Sequence, residues 1–264
     1  MRGFKRLRNL RDRSLRTFLI SCIVMTRLRQ CVLSLVTLFA VAGPSVSAQI
    51  VTEWSAETRV ALSFHVNDAA LQKMLPPGWT SAPSTGAGNK GVNLTVNFID
   101  RQVALDGEGK TYRTGTSRYI VLAVPARNAA GDANTVIVGG LSPEGLGAYG
   151  VNLKTVVSRV DRASSAQGEE GGRGEEHWEF AAKSGERIEL QIAFRRSPAV
   201  KTHAETKLRS ALHHDFTRSY RIDQAADVVR SLSTPDRVER LTFRASGAGF
   251  APLFDGQERE VSVP

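Results

Sequence analysis

Apolar and polar residues alternate along eight stretches of the chain, a pattern typical of β-strands with one buried face. In "RVALSFHV" (59–66) every second residue is apolar, and "VNLTVNFI" (92–99) repeats the pattern. The remaining stretches are 118–124, 135–140, 153–160, 177–183, 187–194 and 240–246. The residues "SGE" join two of them, 177–183 and 187–194, and predict a hairpin turn between them.

Two short segments show helical spacing instead. In "NDAALQKML" (67–75), Asn67 or Asp68 can cap the first turn, and apolar residues follow along one side. The helix must end at Pro76-Pro77, because proline cannot continue it, and Gly78 frees the turn that follows. A second short helix is predicted at "QAADVVRSL" (224–232). The fold class is therefore α+β and mainly β, with two short helices.

The N-terminal segment has the layout of a secretory signal. Arg27 and Arg29 precede an apolar run at 31–42, and small residues at 46–48 form a cleavage site. The run is shorter than the roughly 18 residues that a membrane-spanning helix needs. Residues 1–48 are thus interpreted as a leader with Met25 as the true start, and 49–264 as a single exported domain, periplasmic or secreted, with no stable membrane span after cleavage.

The leader also accounts for the charge and for the cysteines. The whole chain has a net charge of +9, but residues 1–48 contain nine Lys or Arg and one Asp. The remaining residues carry 26 basic and 25 acidic side chains, so no nucleic-acid partner is indicated. Both cysteines, Cys22 and Cys31, lie in the leader, and the domain must therefore fold without disulfides.

A strand that begins at an arginine, followed by "VNDAALQKMLPPGW" (66–79) and another long strand, resembles the acetoacetate decarboxylase-like family. The likeness continues through "TVIVGGLSPEGLGAYGVNLK" (135–154) and covers roughly residues 59–160. It implies an antiparallel β-barrel or sheet, crossed by the first helix, that encloses a pocket for a small carboxylate or ketone.

The same resemblance implies a chemistry. In this family a lysine forms a Schiff base with a β-keto acid, and its amine is activated by desolvation and by a second lysine beside it. Here "AYGVNLK" stands in place of the aromatic-Pro-Lys-Lys motif, so that Lys154 is the nearest lysine and has no adjacent cation. The family's glutamate on the second long strand is replaced by Thr95 and Asn97, and Glu108 is a candidate for a further acid.

Two residues fit ligand-binding roles that the resemblance implies. Arg59 stands where the family directs an arginine at the substrate carboxylate, although a surface position at the strand end is the alternative. Tyr149 matches the aromatic residue of the family's motif.

Two further sequence patterns point to dinucleotide binding and to metal binding, but both are incomplete. "GLGAYG" (145–150) spells a dinucleotide-binding turn, but the next residues predict a strand where that motif needs a helix. His213 and His214 are adjacent and would point to opposite faces of a strand, so they do not indicate a metal site with His203 or Asp215. No metal or other cofactor is expected.

Two functions remain open. The first is an exported binding protein, or a divergent enzyme, that holds a small carboxylate or ketone without Schiff-base chemistry. The alternative is an active carbon-carbon lyase on a β-keto or 2-oxo acid, with Lys154 as nucleophile. The sequence also leaves a homo-oligomer open.

Overall fold

The computed structural model describes residues 51–166 and 171–263, which belong to one compact unit. The predicted leader lies outside them. The elements are β1 (Glu53–His65), α1 (Asp68–Gln72), β2 (Trp79–Ser81), β3 (Leu94–Asp106), β4 (Ser117–Asn128), β5 (Ala133–Ser142), β6 (Asn152–Ala166), β7 (Gly172–Ala182), β8 (Arg187–Arg196), β9 (Val200–Ser210), β10 (Thr217–Ala226), β11 (Val238–Ser246) and β12 (Arg259–Ser262).

The strands form one 12-stranded sheet whose main order is β11-β8-β7-β6-β5-β4-β3-β1-β12. Most neighbours are antiparallel, but β5 pairs with β6 and with β9 in parallel. The mainly β class is confirmed, and so are strands at all eight predicted stretches. Of the antiparallel barrel or sheet that the resemblance implied, the structure shows a sheet, which is open and includes two parallel pairings.

Helix α1 forms as predicted and is fixed at both ends. The side chain of Asn67 accepts a hydrogen bond from the amide of Ala70, over 3.0 Å. The buried amide of Asn93 exchanges hydrogen bonds with the backbone of Val66, which sets the entry of the chain into the helix. Gly78 has φ +79°, a conformation that suits glycine at the turn after the two prolines.

The second predicted helix is absent from the structure. Residues up to Ala226 continue strand β10, where Ala226 pairs with Val200 of β9. Val229 then forms a backbone hydrogen bond with Val263 near the C-terminus. Pairing with distant strands therefore overrides the helical spacing of 224–232.

Strands β3 and β4 carry different residues on their two faces because successive side chains alternate. Leu94, Val96 and Phe98 of β3 are fully buried in the main hydrophobic core, together with Trp178 of β7. The intervening residues of both strands point to the opposite face. That second face carries a smaller apolar cluster, which contains Tyr149, and the cavity described next.

Candidate functional site

A cavity of about 300 Å³ lies on the sheet face that does not carry the main core. Strands β1, β3, β4 and β5 form its base, and the β9–β10 hairpin contributes one wall. The charged residues of its lining are four arginines and three glutamates: Arg59, Arg101, Arg113, Arg218, Glu53, Glu57 and Glu144. The cavity therefore has one excess positive charge.

Glu57 and Arg59 form an ion pair on β1, where two residues of separation place their side chains on the same face. Arg59 Nε donates to Glu57 Oε2 over 2.8 Å. The carboxylate of Glu57 is largely buried, whereas the side chain of Arg59 retains 36% of its accessible surface. Burial raises the pKa of Glu57, but Arg59 and Arg101 more than offset this effect, so the pKa lies below its ordinary value.

Arg101 of β3 extends this pair into a network. It contacts Glu53 at 3.1 Å and, more distantly, Glu57 at 3.4 Å. Its Nη2 donates to the hydroxyl of Tyr119 over 2.9 Å. The register explains the contact with Glu57, because Glu57 and Arg101 are direct cross-strand partners.

Arg218 of β10 closes the network from the hairpin side, since its guanidinium lies 3.5 Å from the second carboxylate oxygen of Glu53. Glu53 is thus held by two arginines from two different elements. One end of the cavity is consequently a compact array of alternating carboxylates and guanidinium groups.

Tyr149 and Tyr220 form a second polar feature. Their hydroxyl oxygens are 2.9 Å apart, and the Tyr149 ring packs edge-on against Phe216 with centroids 5.5 Å apart. Burial raises the pKa of Tyr149, so its phenol stays neutral. All four tyrosines of the chain, Tyr112, Tyr119, Tyr149 and Tyr220, line this one cavity.

An ion pair between two loops borders the cavity. Arg113, in the loop between β3 and β4, contacts Glu144, in the loop after β5. Arg113 has φ +54° and is the only non-glycine residue with positive φ in the part of the chain that the structure describes. Such a backbone costs of the order of 1 kcal/mol or more and persists where the surroundings fix it.

The structure separates the four residues singled out from the sequence into two groups. Arg59 and Tyr149 both line the cavity, as do Thr95 and Asn97. Lys154 has an exposed side chain and does not contribute to the lining, where Asn152 is the residue from β6. Glu108 is exposed in the turn that joins Asp106 to Lys110 and also lies outside the lining.

The sequence did not single out Arg101, Tyr119, Arg218 or Tyr220, although all four line the cavity. Strand alternation was a usable signal for Tyr119, which precedes the apolar run "IVLAV" and must face away from the core. Arg218 and Tyr220 lie on β10, whose mostly polar sequence gave no strand signal.

The alternative sites are not assembled in the structure. "GLGAYG" is followed directly by strand β6, and the helix of a dinucleotide-binding turn is missing there. Within residues 51–166 and 171–263, no three His, Cys, Asp or Glu side chains are grouped so that they could hold a metal ion. In the same residues, no helix is long and apolar enough to cross a membrane.

The fold and the cavity define a mainly β protein with a partly enclosed site rich in arginine and tyrosine. No family model matches the chain, and no curated protein matches it either. Among solved structures, the chain is similar to an acetoacetate decarboxylase-like enzyme from Sphingomonas wittichii RW1, with a TM-score of 0.46 and 10% identity over 85% of this chain and 92% of that one.

The chain is also similar to the enduracididine biosynthesis enzyme MppR, whose structure contains the condensation product of pyruvate and imidazole 4-carboxaldehyde. The TM-score is 0.45, and the identity is 11% over 84% of this chain and 87% of that one. The Sphingomonas enzyme carries the family name that the sequence motif indicated. At these values the likeness supports no conclusion about activity, substrate or site residues.

Proposed function

We propose that the protein binds a small carboxylate or ketone in the cavity, with Arg59 as the anion contact, and that it does not use Schiff-base chemistry. The observation that carries the proposal is the lining itself. It holds four arginines and an excess positive charge, and none of its residues, within the part of the chain described, is a lysine.

Arg59 is the arginine best placed to meet an anion. Its contacts with Glu57 use one hydrogen of Nε and one of Nη2, which leaves three of the five guanidinium N–H groups for a ligand. Arg101, by contrast, already contacts Glu53, Glu57 and Tyr119. A carboxylate that reaches Arg59 can be bound by two parallel hydrogen bonds, the geometry that guanidinium groups favour.

The second candidate function, a lyase with Lys154 as nucleophile, has less support. A Schiff-base lysine needs a desolvated amine that can reach the substrate. Lys154 is exposed and does not line the cavity, where Asn152 is the residue that β6 contributes.

Replacing Arg59 with glutamine is expected to weaken binding of a short carboxylate such as acetoacetate about 10- to 100-fold. The reason is that a hydrogen bond to a charged group contributes roughly 1.5–3 kcal/mol. Isothermal titration calorimetry measures the change. R159Q is the matched control, since Arg159 is exposed, pairs only with Asp161 among the described residues, and lies outside the cavity.

Equal affinities in R59Q and R159Q would contradict the role of Arg59. Borohydride reduction in the presence of acetoacetate, followed by mass spectrometry, tests the lyase alternative. We expect no adduct, and a label on Lys154 that is lost in K154M would replace the binding proposal with the lyase.

We propose in addition that the protein is exported, on the basis of the basic and apolar segments within 25–48. Expression of the full chain in a bacterial host, followed by N-terminal sequencing of the periplasmic and secreted fractions, is expected to give a product that begins near Gln49. Retention of the uncleaved chain in the cytoplasm would refute this.

A further inference from the structure

A second, open space adjoins the cavity. This cleft has a volume of about 650 Å³ and is bordered by residues 82–92, by the ends of β4 and β5, and by β9. Cavity and cleft have four lining residues in common: Thr95, Ala123, Thr135 and Thr206. The two spaces are therefore adjacent at these four residues, which are called the neck below.

The neck is made of small side chains from four neighbouring strands. Thr95 of β3 and Ala123 of β4 are direct cross-strand partners. Thr135 of β5 pairs with Leu208 of β9, and Thr206 is the next residue of β9 on the same face. No bulky side chain belongs to this set. Along β3, Asn97 and Ile99 line the cavity between Arg101 at its polar end and Thr95 at the neck, so the polar end and the cleft lie along one line of the sheet surface.

The cleft differs from the cavity in chemistry. Its lining contains no aromatic residue among the described residues, and Val92 is its largest aliphatic side chain. Its charged residues, Arg127, Glu205 and Lys207, are all exposed. The polar uncharged side chains of its wall carry hydroxyl or amide groups: Ser84, Thr85, Asn89, Thr95, Asn134, Thr135 and Thr206.

We propose that the cavity and the cleft form one elongated site for a carboxylate that carries an uncharged, hydroxyl-bearing tail of several carbons. This inference rests on the proposed binding function and specifies its ligand class. The arginine end of the cavity holds the carboxylate, the tail passes the neck, and the hydroxyl and amide groups of the cleft bind the tail.

The composition of the cleft separates this ligand from two others. A purely alkyl tail gains little there, because apolar burial scales with the apolar area that the wall offers, and the wall has no large apolar side chain. A charged tail finds only exposed charges of both signs, which are screened by solvent.

Calorimetry with glycerate and lactobionate, which have three and twelve carbons, tests the proposal. We expect the full-length protein to bind lactobionate at least about 10-fold more tightly than glycerate. A133F places an aromatic ring at an exposed position of the cleft wall and should remove this difference while glycerate binding is kept. A130F is the matched control, since Ala130 is exposed in the adjacent turn and outside the cleft.

T85F, on the opposite wall of the cleft, provides a second blocking variant if A133F does not fold. Equal affinities for the two acids in the unmodified protein would overturn the elongated site and leave the binding function standing. If A133F and T85F fold but bind neither acid, the elongated site would be overturned as well. Binding of neither acid to the unmodified protein would overturn the binding function, and this inference with it.

Discussion

R101M is expected to lower the free energy of unfolding by about 3 kcal/mol, because the substitution leaves Glu53 and Glu57 with one cation fewer in a largely buried site. Breaking a buried ion pair typically costs about 3–5 kcal/mol, since the remaining charge stays desolvated. The lower end applies here, because Arg59 still pairs with Glu57 and Arg218 with Glu53. Urea denaturation at neutral pH measures the change.

R118M is the matched control on the neighbouring strand. Arg118 is half exposed, and its partner Asp100 keeps a second ion pair with Arg162. An ion pair whose arginine is half exposed and whose carboxylate keeps a second cation is expected to contribute about 0–1 kcal/mol. Combining R101M with E57Q should recover part of the stability, because one uncompensated carboxylate is then removed. Equal losses of unfolding free energy in R101M and R118M would show that the network of arginines and glutamates does not cause the effect.

W178A is expected to cost about 3–5 kcal/mol, the usual range for removing a large aromatic side chain from a core. Trp178 has no exposed surface, and its ring lies 5.6 Å from that of Phe98 and 6.4 Å from that of Phe180. Its indole N–H also donates to Glu176 over 2.8 Å, so the truncation removes a hydrogen bond as well.

W54A provides the comparison, because Trp54 is 60% exposed on β1 and should change stability by no more than about 0.5 kcal/mol. Urea denaturation of both variants, with carboxylate binding measured in parallel, distinguishes a loss of core stability from a loss of ligand binding. A loss in W54A as large as in W178A would contradict this assignment of the core.

The alternating strands could be predicted because one face of each packs into the core, as Leu94, Val96 and Phe98 of β3 do. Strands β9 and β10 could not, since their outer face is exposed and the face that they turn to the cavity carries polar residues such as Arg218 and Tyr220. The helical spacing of 224–232 was misleading for a different reason, because backbone pairing with residues far away in sequence fixes this segment.

Among the residues that line the cavity, the family resemblance indicated Arg59 and Tyr149. The alternation of polar and apolar residues could not by itself identify the others. A polar residue that faces away from the core either contacts solvent or lines a covered site, and the sequence does not distinguish the two. Arg101 and Tyr119 are covered because the β9–β10 hairpin lies over their face of the sheet, a long-range contact that no local pattern shows. Lys154 and Glu108 were also candidates from the sequence, but no other part of the described structure covers them, and both are exposed.

The placement of the tyrosines has a practical consequence. All of them border the cavity, whereas the three tryptophans, each in the described part of the chain, do not. The near-ultraviolet absorption bands of phenol and indole overlap, but their difference spectra have distinct features, so a tyrosine difference signal originates at the cavity wall. The polypeptide thus contains its own optical reporter of occupancy, and titrations can follow it without a dye or a label.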